Sequence, residues 1–207
     1  MIPNELGQEN RFVRAVLPWL VAVAALVVYA LTLNRWVSFD SVDYVARASG
    51  LMWTPELAAG RSSVGPFAPL FFVVTYPVRF LPAQWVPLAL NLISAVCGAL
   101  TLALLARSVA LLPHDRTHEQ RQREHGAFSL LSLRTAWIAP VLAVIACGLQ
   151  RSFWENATAV SGDSFALLLF AYVVRCLLEY RIDPRASWLL RAALVYGAAM
   201  TGNWLMI

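Results

Sequence analysis

Long apolar runs dominate the chain, and short polar stretches separate them. The clearest are residues 15–33 and 85–109. Each is close to the roughly 20 residues that a helix needs to cross a hydrocarbon core. A shorter run follows at 135–149, another at 157–178, and a last one at 188–207 that is still apolar at Ile207. In lipid every backbone polar group needs an internal partner, so such runs predict helices. The pattern therefore predicts an all-α fold, a polytopic transmembrane helical bundle with five spans, organised as a single transmembrane domain over 1–207. The final run stops without a cap or a polar tail, which predicts that these residues are the N-terminal part of a longer protein.

Residues 66–81 fit the pattern less simply. The segment is apolar but short, and it contains Pro66, Pro69, Pro77 and Arg79. That length and composition suit an interfacial or re-entrant helix. If it does not cross and the N-terminus is cytoplasmic, eleven of the 16 basic residues fall inside and five outside, as the positive-inside rule asks. If it does cross, the N-terminus lies outside and the acidic first loop becomes cytoplasmic. Charge alone slightly prefers that rival.

Composition supports the membrane reading. The chain is 59% hydrophobic and 14% charged, with mean hydropathy +0.62. Soluble domains run near 45–50% and about 25%. The net charge of +4 comes entirely from arginine. Arginines beside apolar runs read as topology signals rather than a nucleic-acid footprint, and no nucleic-acid partner is expected. Cys97, Cys147 and Cys176 lie in apolar runs without CxxC spacing, so they read as packing residues. His114, His118 and His125 share one polar stretch without a supporting frame, which reads as a solvated loop. No metal site is expected, although a divalent ion is not excluded. The N-terminal run follows Arg11 and Arg14 like a signal sequence. Its length points to an uncleaved anchor.

The candidate chemistry sits just after the first run, in Phe39-Asp40-Ser41-Val42-Asp43-Tyr44. Asp40 and Asp43 share a face if the stretch is helical. Two readings stay open. One is an N-cap followed by an acid in the first turn of a juxtamembrane helix over about 43–52. The other is a carboxylate base at the membrane surface, its pKa tuned by the second acid. Further along, Trp154 and Trp36 read as interfacial anchors. Glu155 and Asp163 flank the fourth run and are candidates because acids near membrane depth are costly to keep. Asn156-Ala157-Thr158 matches a glycosylation sequon beside a span. Asn203, inside the last run, suits an interhelical hydrogen bond.

An acidic pair after the first span, then an amphipathic stretch and a Pro-rich apolar segment, resembles the GT-C superfamily of membrane glycosyltransferases. The closer likeness is to its bacterial branch related to protein O-mannosyltransferases. Asp40-Ser41-Val42-Asp43 resembles that family's Trp-Asp-Ser-x-Glu-like motif, and Gly65-Pro66-Phe67-Ala68-Pro69-Leu70 its His-Pro-Pro-Gly-Tyr-Pro-Leu-like segment. Asn91-Leu92-Ile93-Ser94, Ser152-Phe153-Trp154-Glu155-Asn156-Ala157 and Gly202-Asn203-Trp204-Leu205-Met206 follow in the family's order. Several family positions differ. Val64 and Trp204 stand where the family has His, Ser161 where it has an acid, and Asp43 where it has Glu.

The resemblance implies inverting transfer of a sugar from a polyprenyl-phosphate-linked donor to an acceptor hydroxyl, at the extracytoplasmic face of a bacterial inner membrane. It implies a periplasmic first loop and a juxtamembrane helix over 66–81, which selects five spans. Asp40 becomes the catalytic base and Asp43 its support. Arg47, Arg61, Arg79 and Arg151 are the outer-side cations available for the donor phosphate. The superfamily contains both metal-dependent and metal-independent enzymes. The expected partners are the lipid-linked donor and membrane lipids, with the acceptor open. The missing histidines motivate an alternative, a non-catalytic subunit or pseudo-enzyme that binds a lipid-linked sugar or a partner protein. A transporter component is a third class, with little support from ionisable residues within the spans.

Overall fold

The structure, a computed structural model, describes residues 15–37, 41–49, 69–112 and 137–201. The described residues are helical, without a strand. Helix α1 is Leu17–Leu31, α2 is Val42–Ala48, and α3 is Pro69–Thr75. A 3-10 turn Tyr76–Phe80 extends α3, and a second, Ala83–Trp85, leads into α4, Val86–Leu111. Then come α5 (Ile138–Gly148), α6 (Arg151–Thr158), α7 (Gly162–Ile182) and α8 (Ala186–Ala199).

Helix α4 is the central post. It packs against α1, α5, α6 and α7, while α8 packs on α7. One face of α4 explains this. Asn91, Ser94, Gly98, Thr101, Leu105 and Ser108 recur at alternating three- and four-residue steps and so share a face. All are buried except Leu105, which is partly so. Small and polar side chains there let neighbouring backbones approach closely. A Cβ on Gly98 would stand 2.9 Å from the Ala157 Cβ. Thr101 spends its hydroxyl on the Cys97 carbonyl at 2.8 Å, one turn back on the same helix.

Outward faces are apolar instead. Trp19, Val23 and Leu31 on α1, Leu142 and Ile145 on α5, and Leu190 and Leu194 on α8 are all exposed. Residues 83–111 form one helical stretch long and apolar enough to cross a membrane. The pair α6 and α7 passes the same test only together, bent by 112° at the break between them. By that measure one or two helices could cross, so the five-span bundle expected from the sequence is not established.

The element bounds correct the expected ones. The run at 135–149 gives an α5 of only 11 residues. Chain leaves α5 through Leu149 and an extended Gln150 before α6 begins. The expected helix at 157–178 is interrupted. Ala157 and Thr158 end α6, residues Ala159 and Ser161 are extended, and α7 starts at Gly162 and continues to Ile182. Ser161 caps α7 by accepting from the Ser164 N–H, the role a serine N-cap commonly fills. The last run gives a helix that ends at Ala199. The helix expected over 43–52 is described only as Val42–Ala48, and the one over 66–81 as α3 with its 3-10 turn.

Candidate functional site

The break between α6 and α7 is held by a buried asparagine on another helix. Asn91 Oδ1 accepts from the Val160 N–H at 2.8 Å. Its Nδ2 donates to the Asn34 carbonyl at 2.6 Å. The Asn34 N–H in turn donates to the Thr158 carbonyl at 3.2 Å. One side chain thereby ties the segment after α1, the N-terminal part of α4 and the break. Ser164 Oγ donates to the Asn156 carbonyl at 2.6 Å, across the bend. Extended residues have no helical partners for their backbone groups, and buried backbone groups are costly to leave unpaired. These side chains supply the partners.

The bend leaves a cavity of about 300 Å³. Gly98 and Thr101 of α4 form its floor, with Cys147 of α5 and Gln150 just before α6. Helix α6 contributes Ser152, Phe153, Asn156 and Ala157; α7 contributes Asp163, Ser164 and Leu167. An amide pair, two serines and one carboxylate therefore converge beside an aromatic ring. Asp163 lies in the first turn of α7, where the helix dipole favours a carboxylate.

The first-loop helix docks beside this bend. A Cβ on Gly162 would stand 2.9 Å from the Tyr44 hydroxyl, so any larger residue there would make the tyrosine shift. The Tyr44 ring meets Phe71 edge-on at 5.6 Å, and Phe71 in turn meets Phe165 at 5.8 Å. Phe71, Val78, Val86, Leu90 and Val160 form the apolar cluster underneath. Helices α2, α3 and the start of α7 are thus one packed unit at the N-terminal end of α4.

The candidate residues fare differently. Asp163 lines the cavity. Arg151 and Glu155 do not; Arg151 Nε donates to Glu155 Oε1 at 2.8 Å on an exposed face of α6. That bond raises the Arg151 pKa, and an exposed pair of this kind contributes little to stability. Trp154 packs edge-on against Tyr29 at 5.3 Å, and Tyr29 donates to the Gly148 carbonyl at 3.1 Å, so Trp154 helps dock α6 on α1. Arg79 sits in the 3-10 turn after α3. Asp43 and Arg47 belong to α2, but their side chains lie outside the described residues, as do Asp40, Arg61 and Asn203. Among the described residues no three His, Cys, Asp or Glu side chains gather as metal ligands.

Sequence reasoning passed over Asn91 and Ser94 as catch-points for the break, and Gln150 and Ser164 as cavity wall. A signal was present. Asn91 and Ser94 are polar, three apart, in an otherwise apolar run, and such residues usually face a helical neighbour.

No curated protein and no solved structure matches the chain. A family described as the protein O-mannosyl-transferase TMEM260 N-terminal domain matches residues 65–207. The match takes in the cavity, Arg79, Arg151, Trp154, Glu155, Asp163 and Asn203, and begins after Asp40, Asp43, Arg47 and Arg61. With well over half of its length matched, the chain belongs to this protein O-mannosyltransferase family.

Proposed function

We propose that this chain is the N-terminal membrane part of a GT-C-type glycosyltransferase, which transfers a mannose-type sugar from a polyprenyl-phosphate-linked donor to a protein hydroxyl on the extracytoplasmic face. The observation that carries the reading is the docking of α2 against the α6–α7 bend, through Tyr44 at Gly162. It brings α2, which follows the acidic motif in the chain, beside the bend, and the cavity at that bend is lined by side chains that suit sugar hydroxyls. Gln150, Asn156, Ser152 and Asp163 offer amides, a hydroxyl and a carboxylate, and Phe153 offers a ring. Family membership supports the reaction class.

The chemistry needs few groups. The acceptor hydroxyl oxygen attacks the sugar C1, and the bond from C1 to the phosphate oxygen breaks. Asp40 takes the hydroxyl proton, and the lipid phosphate leaves ionised, so no general acid is required. Attack opposite the leaving group inverts C1. None of the cavity-lining residues is basic, so in this reading the donor phosphate sits outside the cavity and is met by arginines beyond its lining. The sugar enters the cavity, and Asp163 accepts hydrogen bonds from its hydroxyls.

The membrane placement draws on an inverted surface. The helices bury Asn91, Ser94, Thr101 and Ser108 while they expose leucine, valine and tryptophan. Apolar exposure on this scale marks a surface that meets lipid or protein. In the five-span reading, the runs at 15–33, 85–109, 135–149, 157–178 and 188–207 cross, and α6 lies at the membrane surface.

The test is a transfer assay with full-length protein in native membranes. Polyprenyl-phosphate mannose should label an acceptor peptide at Ser or Thr, and a nucleotide-activated mannose alone should not. Labelling from the nucleotide sugar in membranes stripped of lipid-linked mannose would contradict the donor assignment. No labelling from any lipid-linked sugar would favour a non-catalytic role.

A further inference from the structure

At the other end of α4 and α7 lies a second polar cluster, unrelated to the cavity. Glu179 Oε1 accepts from Arg107 through Nε at 2.8 Å and Nη2 at 2.6 Å. Arg175 Nε stands 3.9 Å from the same oxygen, too far for a hydrogen bond, and it is buried without an acceptor. Arg191 reaches over the Trp188 ring at 4.9 Å, and Arg175 approaches the same ring at 5.9 Å. Three guanidiniums, those of Arg107, Arg175 and Arg191, therefore gather around one carboxylate and one indole.

We propose that this cluster binds the phosphodiester headgroup of an anionic membrane lipid. Guanidinium groups match phosphate oxygens in geometry and charge. Arg175 Nε itself is buried, but the Arg175 and Arg107 side chains are 22% and 31% exposed and Arg191 is exposed, so a phosphate can reach the cluster from the surface. The position fits a leaflet boundary. From Asn91 to Arg107 the rise along α4 is roughly 24 Å at about 1.5 Å per residue, not far short of a hydrocarbon core of about 30 Å. The surroundings favour a lipid over a free anion. Leu177, Leu190 and Leu194 lie exposed on α7 and α8, on the same two helices as the cluster, and offer apolar surface to acyl chains. Basic pockets between spans on the cytoplasmic side are typical headgroup sites. The proposal needs these helices to cross a membrane, and it does not depend on sugar transfer.

The experiment is native mass spectrometry of the detergent-purified full-length protein. Dioleoyl phosphatidylglycerol and dioleoyl phosphatidylcholine are titrated separately, and inorganic phosphate is then added as competitor. Phosphatidylglycerol should bind about tenfold more tightly than phosphatidylcholine and stay bound in millimolar phosphate. Arg191→Gln, at an exposed position, should lose several-fold of that preference without altering thermal stability. Arg175→Gln with Arg191→Gln should remove it. Equal binding of the two lipids, or an unchanged preference in Arg191→Gln, would overturn the proposal. Displacement by inorganic phosphate would also overturn it, making the cluster a free-anion site.

Discussion

The Asn91 side chain accepts the Val160 N–H at 2.8 Å, and with this bond α4 takes over a backbone donor that an unbroken helix would satisfy itself. The relationship spans most of the fold's second half. It explains why the apolar run from residue 157 does not continue as one helix. It also predicts that Asn91→Leu, which keeps the volume and removes both hydrogen bonds, destabilises the protein strongly. Each buried group left unpaired costs about 1–3 kcal/mol. Thermal unfolding in detergent should show a drop of several degrees. Asn91→Asp keeps the acceptor for Val160 and should fall between.

The contact of α4 with α6 makes a second prediction. A Cβ at Gly98 would meet the Ala157 Cβ at 2.9 Å, closer than carbon atoms tolerate. Gly98→Ala should therefore push α6 off α4 and cost about 1–3 kcal/mol. Ala157→Gly removes the opposing atom, so the double variant should recover much of the loss. A double-mutant cycle in unfolding free energy measures the coupling; additive effects would place the strain elsewhere.

Tyr44 and Gly162 give a prediction about activity. Gly162→Ala should displace the Tyr44 hydroxyl and shift α2 from the bend, so sugar transfer falls more than stability does. Tyr44→Phe deletes the atom that would clash. Paired with Gly162→Ala it should restore transfer to near that of Tyr44→Phe alone. Persistent inactivity of the pair would separate the α2 contact from function.

The candidate residues divide cleanly in a transfer assay. Asp163→Asn should raise KM for the donor several-fold, because the carboxylate lines the cavity. Arg151→Gln and Glu155→Gln should leave kcat/KM within about twofold, because the two pair with each other on an exposed face and exposed pairs contribute little. A large loss in Arg151→Gln would return that residue to the donor site.

How much of this was legible in the sequence depends on distance along the chain. The length of α4, the Pro-rich α3 segment and the acid at Asp163 are local features, and they read directly. The Arg151–Glu155 pair was also readable as an i,i+4 spacing, although each residue had been assigned to the site separately. The α6–α7 break was not readable. Its extended residues lie at the start of the apolar, helix-compatible run at 157–178, and what stabilises them is Asn91, 69 positions earlier. Trp154 reads as an interfacial anchor until Tyr29 is seen across from it. The cavity exists only once α4, α5, α6 and α7 are assembled, so no linear pattern announces it. The Asp40 and Asp43 motif reads clearly in the sequence, while its carboxylates lie outside the described residues.

The central claim is that the acidic motif just before α2 supplies the base for sugar transfer. The direct measurement is mannose transfer from polyprenyl-phosphate mannose by full-length Asp40→Asn in membranes, with wild type alongside at matched expression. Loss of a general base predicts a fall of about 10²–10⁴-fold in kcat, with donor binding retained. Transfer by Asp40→Asn at the wild-type rate would contradict the account.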